Sequence, residues 1–214
     1  MGELLFMEAK KLLGAEYGDL GAVFEREDYK WLKPEGKVVL DIGASIGDSP
    51  IWFAEHGAKY VIGLEPYPYV YSLALENVKG YKNIVMLNMA YGKAGEIEVT
   101  TEPTYSGTPL RPGKGKKIKV VDLPTLVEMF NLENAVLKMD CEGCEDNLFH
   151  DLEGIFAFTR IQIEYHHQNY VDLAGLFNSI GYEVTVTEPR EVWNERAGEK
   201  MWLGYIYAER VQGL

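Results

Sequence analysis

The sequence lacks any apolar run long enough to cross a membrane. Its N-terminal apolar run, Leu4-Leu5-Phe6-Met7, is flanked by Glu3 and Glu8, whereas a membrane-spanning helix needs about 20 apolar residues. The run is also too short for a secretory signal. We therefore predict a cytoplasmic protein that has no membrane partner.

Basic residues are also scarce. The 21 lysines and arginines face 33 aspartates and glutamates, which gives a formal net charge of −12 at pH 7. Because phosphates would be repelled overall, nucleic acid is not predicted as the main partner. One local exception is the segment 111–119, which holds Arg111 and four lysines among glycines and a proline. We interpret it as a solvated loop, with the steering of an anionic substrate as the alternative.

Cysteine is limited to one pair, Cys141 and Cys144. The C-x-x-C spacing is compatible with a redox pair, or with half of a zinc site that is completed by His150, His166 or His167. A second cysteine pair is lacking, and the motif follows a strand instead of opening a thioredoxin-type helix. We therefore interpret the cysteines as two small residues in a partly buried turn and predict no metal site.

The most informative segment that is present runs from Val38 to Gly47. An apolar, β-branched run ends at Asp41 and a small-residue turn, and a helix-like segment, 49–56, follows. Such a turn brings a loop to a helix N-terminus, whose N–H groups bind the polar part of a nucleotide-like ligand. A second apolar run ends in Glu65, whose carboxylate can accept hydrogen bonds from both hydroxyls of a ribose. Together these features predict a pocket for an adenosine-containing cofactor.

Charge separates the two main cofactor candidates, a dinucleotide and S-adenosylmethionine. A dinucleotide fingerprint needs G-x-G-x-x-G, but Ser45 holds the place of its second glycine and Gly47 is one position off the spacing. Asp41 would repel a pyrophosphate and would attract the ammonium and sulfonium groups of S-adenosylmethionine. The sequence therefore favours S-adenosylmethionine.

Apolar runs alternate with helix-like segments, which is typical of a doubly wound α/β sheet with ligands at the carboxyl ends of its strands. The last two predicted strands have no helix between them, so we expect them to pair antiparallel at one edge. A chain of 214 residues suits one domain. We place that domain at 36–214, after a helical cap at 1–35. The predicted strands are 38–41, 60–64, 84–87, 96–101, 116–121, 135–139, 161–165, 182–187 and 201–208.

Acidic residues gather at the carboxyl ends of these strands. Such a cluster costs repulsion, which a cationic cofactor, a proton or a metal would relieve. The general base that a hydroxyl acceptor needs is predicted among Asp140, Glu142 and His166. Mg²⁺ held by Asp140, Glu142 and Glu164 is possible but not favoured, because no spacing is specific for it. The acids of the cluster, with the residues just beyond them, are Asp41, Glu65, Asp140, Glu142, Glu145 and Glu164.

Several motifs resemble those of the FkbM family of S-adenosylmethionine-dependent methyltransferases. The segment 40–47, Leu-Asp-Ile-Gly-Ala-Ser-Ile-Gly, is similar to the family's first motif, and 63–66, Gly-Leu-Glu-Pro, to its second. Asn88-Met89-Ala90 matches a short turn beside the adenine, and 121–126 matches the segment before the fourth core strand. Most specific is 137–145, Leu-Lys-Met-Asp-Cys-Glu-Gly-Cys-Glu, which is similar to the signature D-x-E-G-x-E.

The resemblance implies a class I methyltransferase (Rossmann-like) sheet and, most often, O-methylation of a small metabolite or saccharide. Two positions depart from the pattern: Ser45 replaces the usual asparagine, and Cys144 stands where a histidine or similar polar residue is common. The residues expected to bind S-adenosylmethionine are Asp41, Gly43, Ala44, Ser45, Gly47, Asp48, Glu65, Pro66, Asn88, Ala90 and Asp140.

Three other functions are left open by the sequence. The basic segment 111–119 suggests methyl transfer to RNA or to a protein side chain. The strand-turn-helix unit is also compatible with an NAD-linked oxidoreductase, or with a cofactor-binding protein that has lost catalysis. The N-terminal helices could cover the cofactor or form a dimer, so both a monomer and a homodimer are expected states.

Overall fold

The computed structural model describes residues 2–105, 107–166, 170–194 and 199–211. Within these ranges, no helix has the length and apolar character needed to cross a membrane. The helices are α1 (Gly2–Ala9), α2 (Asp48–Glu55), α3 (Pro68–Asn77), α4 (Leu123–Phe130), α5 (Leu152–Ile155) and α6 (Tyr170–Ser179). The strands are β1 (Val38–Ile42), β2 (Tyr60–Leu64), β3 (Ile84–Leu87), β4 (Met89–Tyr91), β5 (Gly95–Thr100), β6 (Gly115–Val121), β7 (Ala135–Met139), β8 (Phe158–Tyr165), β9 (Tyr182–Val186), β10 (Arg190–Asn194) and β11 (Glu199–Arg210).

The main sheet has a parallel centre. Its order is β10-β11-β8-β7-β1-β2-β3, and β9 pairs with β11 as well. Strands β8, β7, β1, β2 and β3 run parallel, whereas β11 runs antiparallel to β8, β9 and β10. The predicted α/β class, a mostly parallel sheet with an antiparallel C-terminal strand, is confirmed. That strand lies between β8 and the outer strands β9 and β10.

Helices cover both faces of this sheet, as parallel strands require. Along β1, alternate residues point to opposite faces. Val39 packs in a cluster with Trp52 of α2, and Leu40 packs in another with Leu126 of α4. The two clusters leave the carboxyl ends of the strands free to carry polar groups.

A second, smaller sheet has the order β4-β6-β5. The predicted strands 96–101 and 116–121 correspond to β5 and β6, which pair antiparallel. Strands β4 and β10 were not predicted. Three residues are too few for β4 to show an alternating pattern, and β10 is a short mixed run that pairs with the first part of β11.

The N-terminal segment packs on the sheet. Besides α1 it forms short helical turns, in which Val23 and Phe24 are buried. Two side chains of β8 bind the last part of this segment. The Gln162 Nε2 donates to the Asp28 carbonyl at 2.9 Å, and the Arg160 Nη1 donates to the Trp31 carbonyl at 2.9 Å. The predicted division of the chain into a helical cap, 1–35, and a cofactor-binding domain, 36–214, stays a prediction.

Candidate active site

The loop between β1 and α2 contains three residues with positive φ. Gly43, Ser45 and Gly47 have φ angles of +84°, +46° and +85°. A Cβ atom on Gly43 would lie 2.7 Å from the carbonyl carbon of Asp140 and closer still to its oxygen. Only glycine therefore lets this loop lie directly against the carboxyl end of β7.

Glu65 follows β2, and its carboxylate is buried. Its Oε2 accepts a hydrogen bond from the Ser45 N–H at 3.1 Å, and its Oε1 accepts one from the Tyr67 N–H at 2.8 Å. Burial raises the pKa of Glu65 to about 8. The Asn88 Nδ2 donates to the carbonyls of Glu65 and Pro66, at 3.0 and 2.8 Å, and fixes the turn that carries the carboxylate. Each carboxylate oxygen keeps a lone pair for a ligand hydroxyl.

Asp41 is fully buried and forms an ion pair with Lys138, its register partner on β7. The Lys138 Nζ lies 2.9 Å from the Asp41 Oδ1 and donates to the Gly43 carbonyl at 2.6 Å. The Ser49 Oγ donates to the Asp41 Oδ2 at 2.6 Å. Burial lowers the pKa of Lys138, but the Asp41 carboxylate outweighs it and the net shift is upward. Asp41, which was predicted to attract the cationic groups of the cofactor, is therefore paired with the Lys138 ammonium, and its role in cofactor binding stays a prediction.

A cavity opens at the carboxyl ends of β1, β2 and β7. The predicted site residues that do not line it are Asp41, Ala44, Gly47, Asp48, Asn88 and His166. The predicted site residues that line the cavity are Gly43, Ser45, Glu65, Pro66, Ala90, Asp140 and Glu142.

Acidic side chains surround His166 at the end of β8. Its Nε2 lies 3.3 Å from the Glu142 Oε2 and 3.9 Å from the Asp140 Oδ1, and its Nδ1 lies 3.5 Å from the Glu145 Oε1. Glu145 accepts hydrogen bonds from the N–H groups of His166, at 3.0 Å, and of Gly143, at 2.9 Å. The three predicted catalytic residues are thus brought together.

Burial and neighbouring charges shift the pKa values in this cluster. Burial lowers the pKa of His166, but the carboxylates of Glu145, Glu142 and Asp140 raise it to about 10. Burial raises the pKa of Glu142 to about 7. Burial, with the charge of Asp140, raises the pKa of Glu164 to about 8. These carboxylates therefore favour the imidazolium form of His166 in the empty site, and its assignment as a catalytic residue stays a prediction.

The structure joins Cys141 and Cys144 in a disulfide, with 5.5 Å between their Cα atoms. The interpretation of the pair as two unlinked small residues is therefore wrong. Their sulfurs are bonded to each other instead of being available to zinc, and His167 lies outside the described residues. Glu142 and Gly143 have φ angles of +57° and +108°. This turn brings the two cysteines to the separation that a disulfide needs.

A loop that sequence reasoning did not assign to the site covers the cavity. It lacks the periodic pattern of a helix or strand, so only its position in the fold reveals its role. The Tyr67 hydroxyl donates to the Pro109 carbonyl at 2.7 Å and holds the loop. A second cavity continues from the first and reaches Arg111. The loop residues that line the first cavity are Thr104, Tyr105, Gly107, Thr108 and Leu110.

Comparison with known families agrees with this geometry. The family described as Methyltransferase FkbM domain matches residues 41–184, which contain both the glycine turn and the acidic cluster. No curated protein matches the chain.

Solved structures that share the fold are distant in sequence. A candidate RNA methyltransferase from Pyrococcus horikoshii is 15% identical, with 98% of each chain covered and a TM-score of 0.56. A protein from Thermoplasma acidophilum is 14% identical, with 99% of this chain and 98% of that chain covered and a TM-score of 0.54. TYW2 from M. jannaschii, solved in complex with AdoMet, is 19% identical, with 89% of this chain and 77% of that chain covered and a TM-score of 0.51. At such identities the likeness shows the fold alone.

Proposed function

The chain belongs to the FkbM methyltransferase family, and from that premise we propose that it transfers the methyl group of S-adenosylmethionine to a hydroxyl of a small metabolite or saccharide. The observation that carries this proposal is the position of Glu65. Its carboxylate lies on the cavity lining beside the Gly43 turn, where it can accept hydrogen bonds from both ribose hydroxyls. Family membership favours this reading over an NAD-linked oxidoreductase.

The charge that attracts the cofactor is assigned to Asp140 and Glu142. Both line the cavity, whereas the charge of Asp41 is compensated by Lys138. A sulfonium and an ammonium group gain most from carboxylates that reach the cavity in which the cofactor would lie. In this proposal, Asp41 and Lys138 instead hold the Gly43 turn in place.

A small acceptor is favoured over RNA by the hairpin of β5 and β6. Lys117 and Lys119 lie directly opposite Glu98 and Glu96 in the strand pairing, so the basic segment is not a uniformly positive surface. The second cavity shares Tyr67, Thr104 and Thr108 with the lining of the first and would give an acceptor a path along the covering loop. Arg111 on its lining is the one feature that suits an anionic group on that acceptor.

Glu142 is the residue to which we assign the proton of the acceptor hydroxyl. Glu142 lines the cavity, whereas His166 is not among the lining residues. Once a screen with labelled S-adenosylmethionine has found an acceptor, Glu142→Gln should slow transfer by about 10²–10⁴-fold, which is more than the loss of its charge weakens cofactor binding. The exposed Glu153→Gln on α5 is the control. Full activity of Glu142→Gln would remove this assignment.

Binding of S-adenosylmethionine should weaken as the pH falls through the pKa of Glu65. Ribose hydroxyls donate to the ionised carboxylate, and the pKa of about 8 in the empty site means that protons compete with the cofactor. We expect the dissociation constant measured by calorimetry to be about tenfold higher at pH 7 than at pH 9.

Glu65→Gln should flatten this pH profile and weaken binding at pH 9 by about 10–100-fold, because hydrogen bonds to a charged acceptor are lost. Glu96→Gln, at an exposed position on β5, is the matched control and should keep both the affinity and its slope. If the dissociation constant of the unaltered protein does not change between pH 7 and pH 9, Glu65 does not bind the ribose through its ionised carboxylate.

A further inference from the structure

Three side chains at the ends of β7 and β8 each offer one ligand atom around a common point. They are Asp140, Glu164 and His166, whose ligand atoms all lie within 4.8 Å of one another. One point therefore lies within about 2.8 Å of all three atoms. Divalent metals bind carboxylate oxygens and imidazole nitrogens at about 2.0–2.2 Å. A movement of under 1 Å by each side chain would complete such a site.

The histidine of this group is buried, and its hydrogen bonding is incomplete. Its side chain is 3% exposed, and its Nδ1 has no hydrogen-bond partner among the described residues. The Glu142 Oε2, which faces the His166 Nε2 at 3.3 Å, is also buried and accepts no hydrogen bond from the described part of the chain. The Nδ1 faces Glu145, so only the Glu142 Oε2 lies on the side of the common point. A cation there would satisfy an acceptor that is costly to leave unpaired.

The surroundings of these side chains leave their inner atoms available. Metal-bound imidazoles usually donate their second ring N–H to a carboxylate, and Glu145 Oε1 stands 3.5 Å from the His166 Nδ1. The Tyr29 hydroxyl lies 3.4 Å from the Asp140 Oδ2, which leaves the Oδ1 facing the His166 Nε2. The ligand atoms of Asp140 and His166 are thus oriented by partners on their outer sides.

From this placement we propose that Asp140, Glu164 and His166 bind one divalent first-row cation. Two carboxylates and an imidazole suit Mn²⁺ better than Mg²⁺, which prefers oxygen ligands and keeps several waters. The ion would lie beside Glu142 at the inner end of the cavity. Its chemical role, to lower the pKa of an acceptor hydroxyl, rests on the proposed function, whereas its binding does not.

The competing occupant of this cluster is the ammonium group of S-adenosylmethionine itself. Both cations would relieve the same negative charge, but they differ in a competition experiment. If the metal has its own site, Mn²⁺ and S-adenosylhomocysteine bind together. If the ammonium occupies the cluster, S-adenosylhomocysteine displaces Mn²⁺.

The test is a titration of the chelator-treated protein with Mn²⁺ at pH 8, at which the ion must displace the proton that His166 carries in the empty site. The electron paramagnetic resonance signal of free Mn²⁺ reports binding. We expect one site per chain. Glu164→Gln and His166→Gln should each weaken binding by more than about 100-fold, and Glu145→Gln by about 10–100-fold. Glu153→Gln, exposed on α5, should bind as the unaltered protein does.

Circular dichroism identifies any variant that fails to fold, and because the two ligand variants remove different donors, either one decides the question. The inference is overturned if the protein lacks a stoichiometric Mn²⁺ site, or if both ligand variants bind Mn²⁺ as tightly as the unaltered protein does. It is also overturned if S-adenosylhomocysteine displaces Mn²⁺. S-adenosylmethionine binding is measured separately in the presence of a chelator. Cofactor binding without Mn²⁺ binding rejects only the metal site, and Mn²⁺ binding without cofactor binding rejects only the proposed function.

Discussion

Replacing Lys138 with methionine should lower the free energy of unfolding by about 3–5 kcal/mol. Lys138 is 2% exposed and pairs with an Asp41 carboxylate that is 0% exposed. Without the ammonium, a charged carboxylate would remain in the core with the Ser49 hydroxyl as its main partner. Unfolding in urea, followed by tryptophan fluorescence, measures the loss.

Two further variants separate the ion pair from the loss of packing. The double variant Asp41→Asn, Lys138→Met removes the stranded charge and should recover at least about 2 kcal/mol. Lys79→Met breaks an exposed pair with Glu76 and should cost less than about 1 kcal/mol. A loss below 1 kcal/mol for Lys138→Met alone would show that the core does not depend on this pair.

Gly43→Ala should be the second severe substitution. The added Cβ would meet the carbonyl group of Asp140, and the φ of +84° is itself unfavourable for alanine. Backbone must therefore move, either in the turn or at the end of β7. We expect a stability loss of about 2–5 kcal/mol and S-adenosylmethionine binding at least about 100-fold weaker, since the displaced turn carries the Ser45 N–H that holds Glu65.

Gly36→Ala is the matched control for this prediction. Gly36 has a similar φ of +70°, but a Cβ there would meet nothing within 4 Å. It should lose only the conformational part, about 1–2 kcal/mol, and keep full cofactor affinity. Urea unfolding measures the stability of the two variants and calorimetry measures their cofactor affinity. If both variants lose equally in both measurements, the close approach of Gly43 to Asp140 contributes nothing to stability or binding.

The parallel strands and Glu65 could be predicted because their signal is local. Buried strands are continuous apolar runs, and the acid that ends β2 is adjacent to one of them. Lys138 also left a signal, as a single charge inside the apolar run of β7, where a buried lysine needs an acidic partner. Its partner is Asp41, however, and that assignment depends on strand register, which the sequence does not specify.

The remaining parts of the site depend on contacts between distant segments. The disulfide between Cys141 and Cys144 follows from a turn at Glu142 and Gly143, and the spacing alone is equally compatible with unlinked cysteines. The covering loop near Tyr105 has no periodic pattern. Its place over the cavity is set by tertiary contacts such as the hydrogen bond from Tyr67 to Pro109.

The most direct measurement is a crystal structure of the protein grown with saturating S-adenosylmethionine. We predict one cofactor molecule in the cavity, with its ribose hydroxyls on the Glu65 carboxylate and its methionine end directed to Asp140 and Glu142. An empty cavity, or an adenosyl group bound away from Glu65, would contradict the central claim.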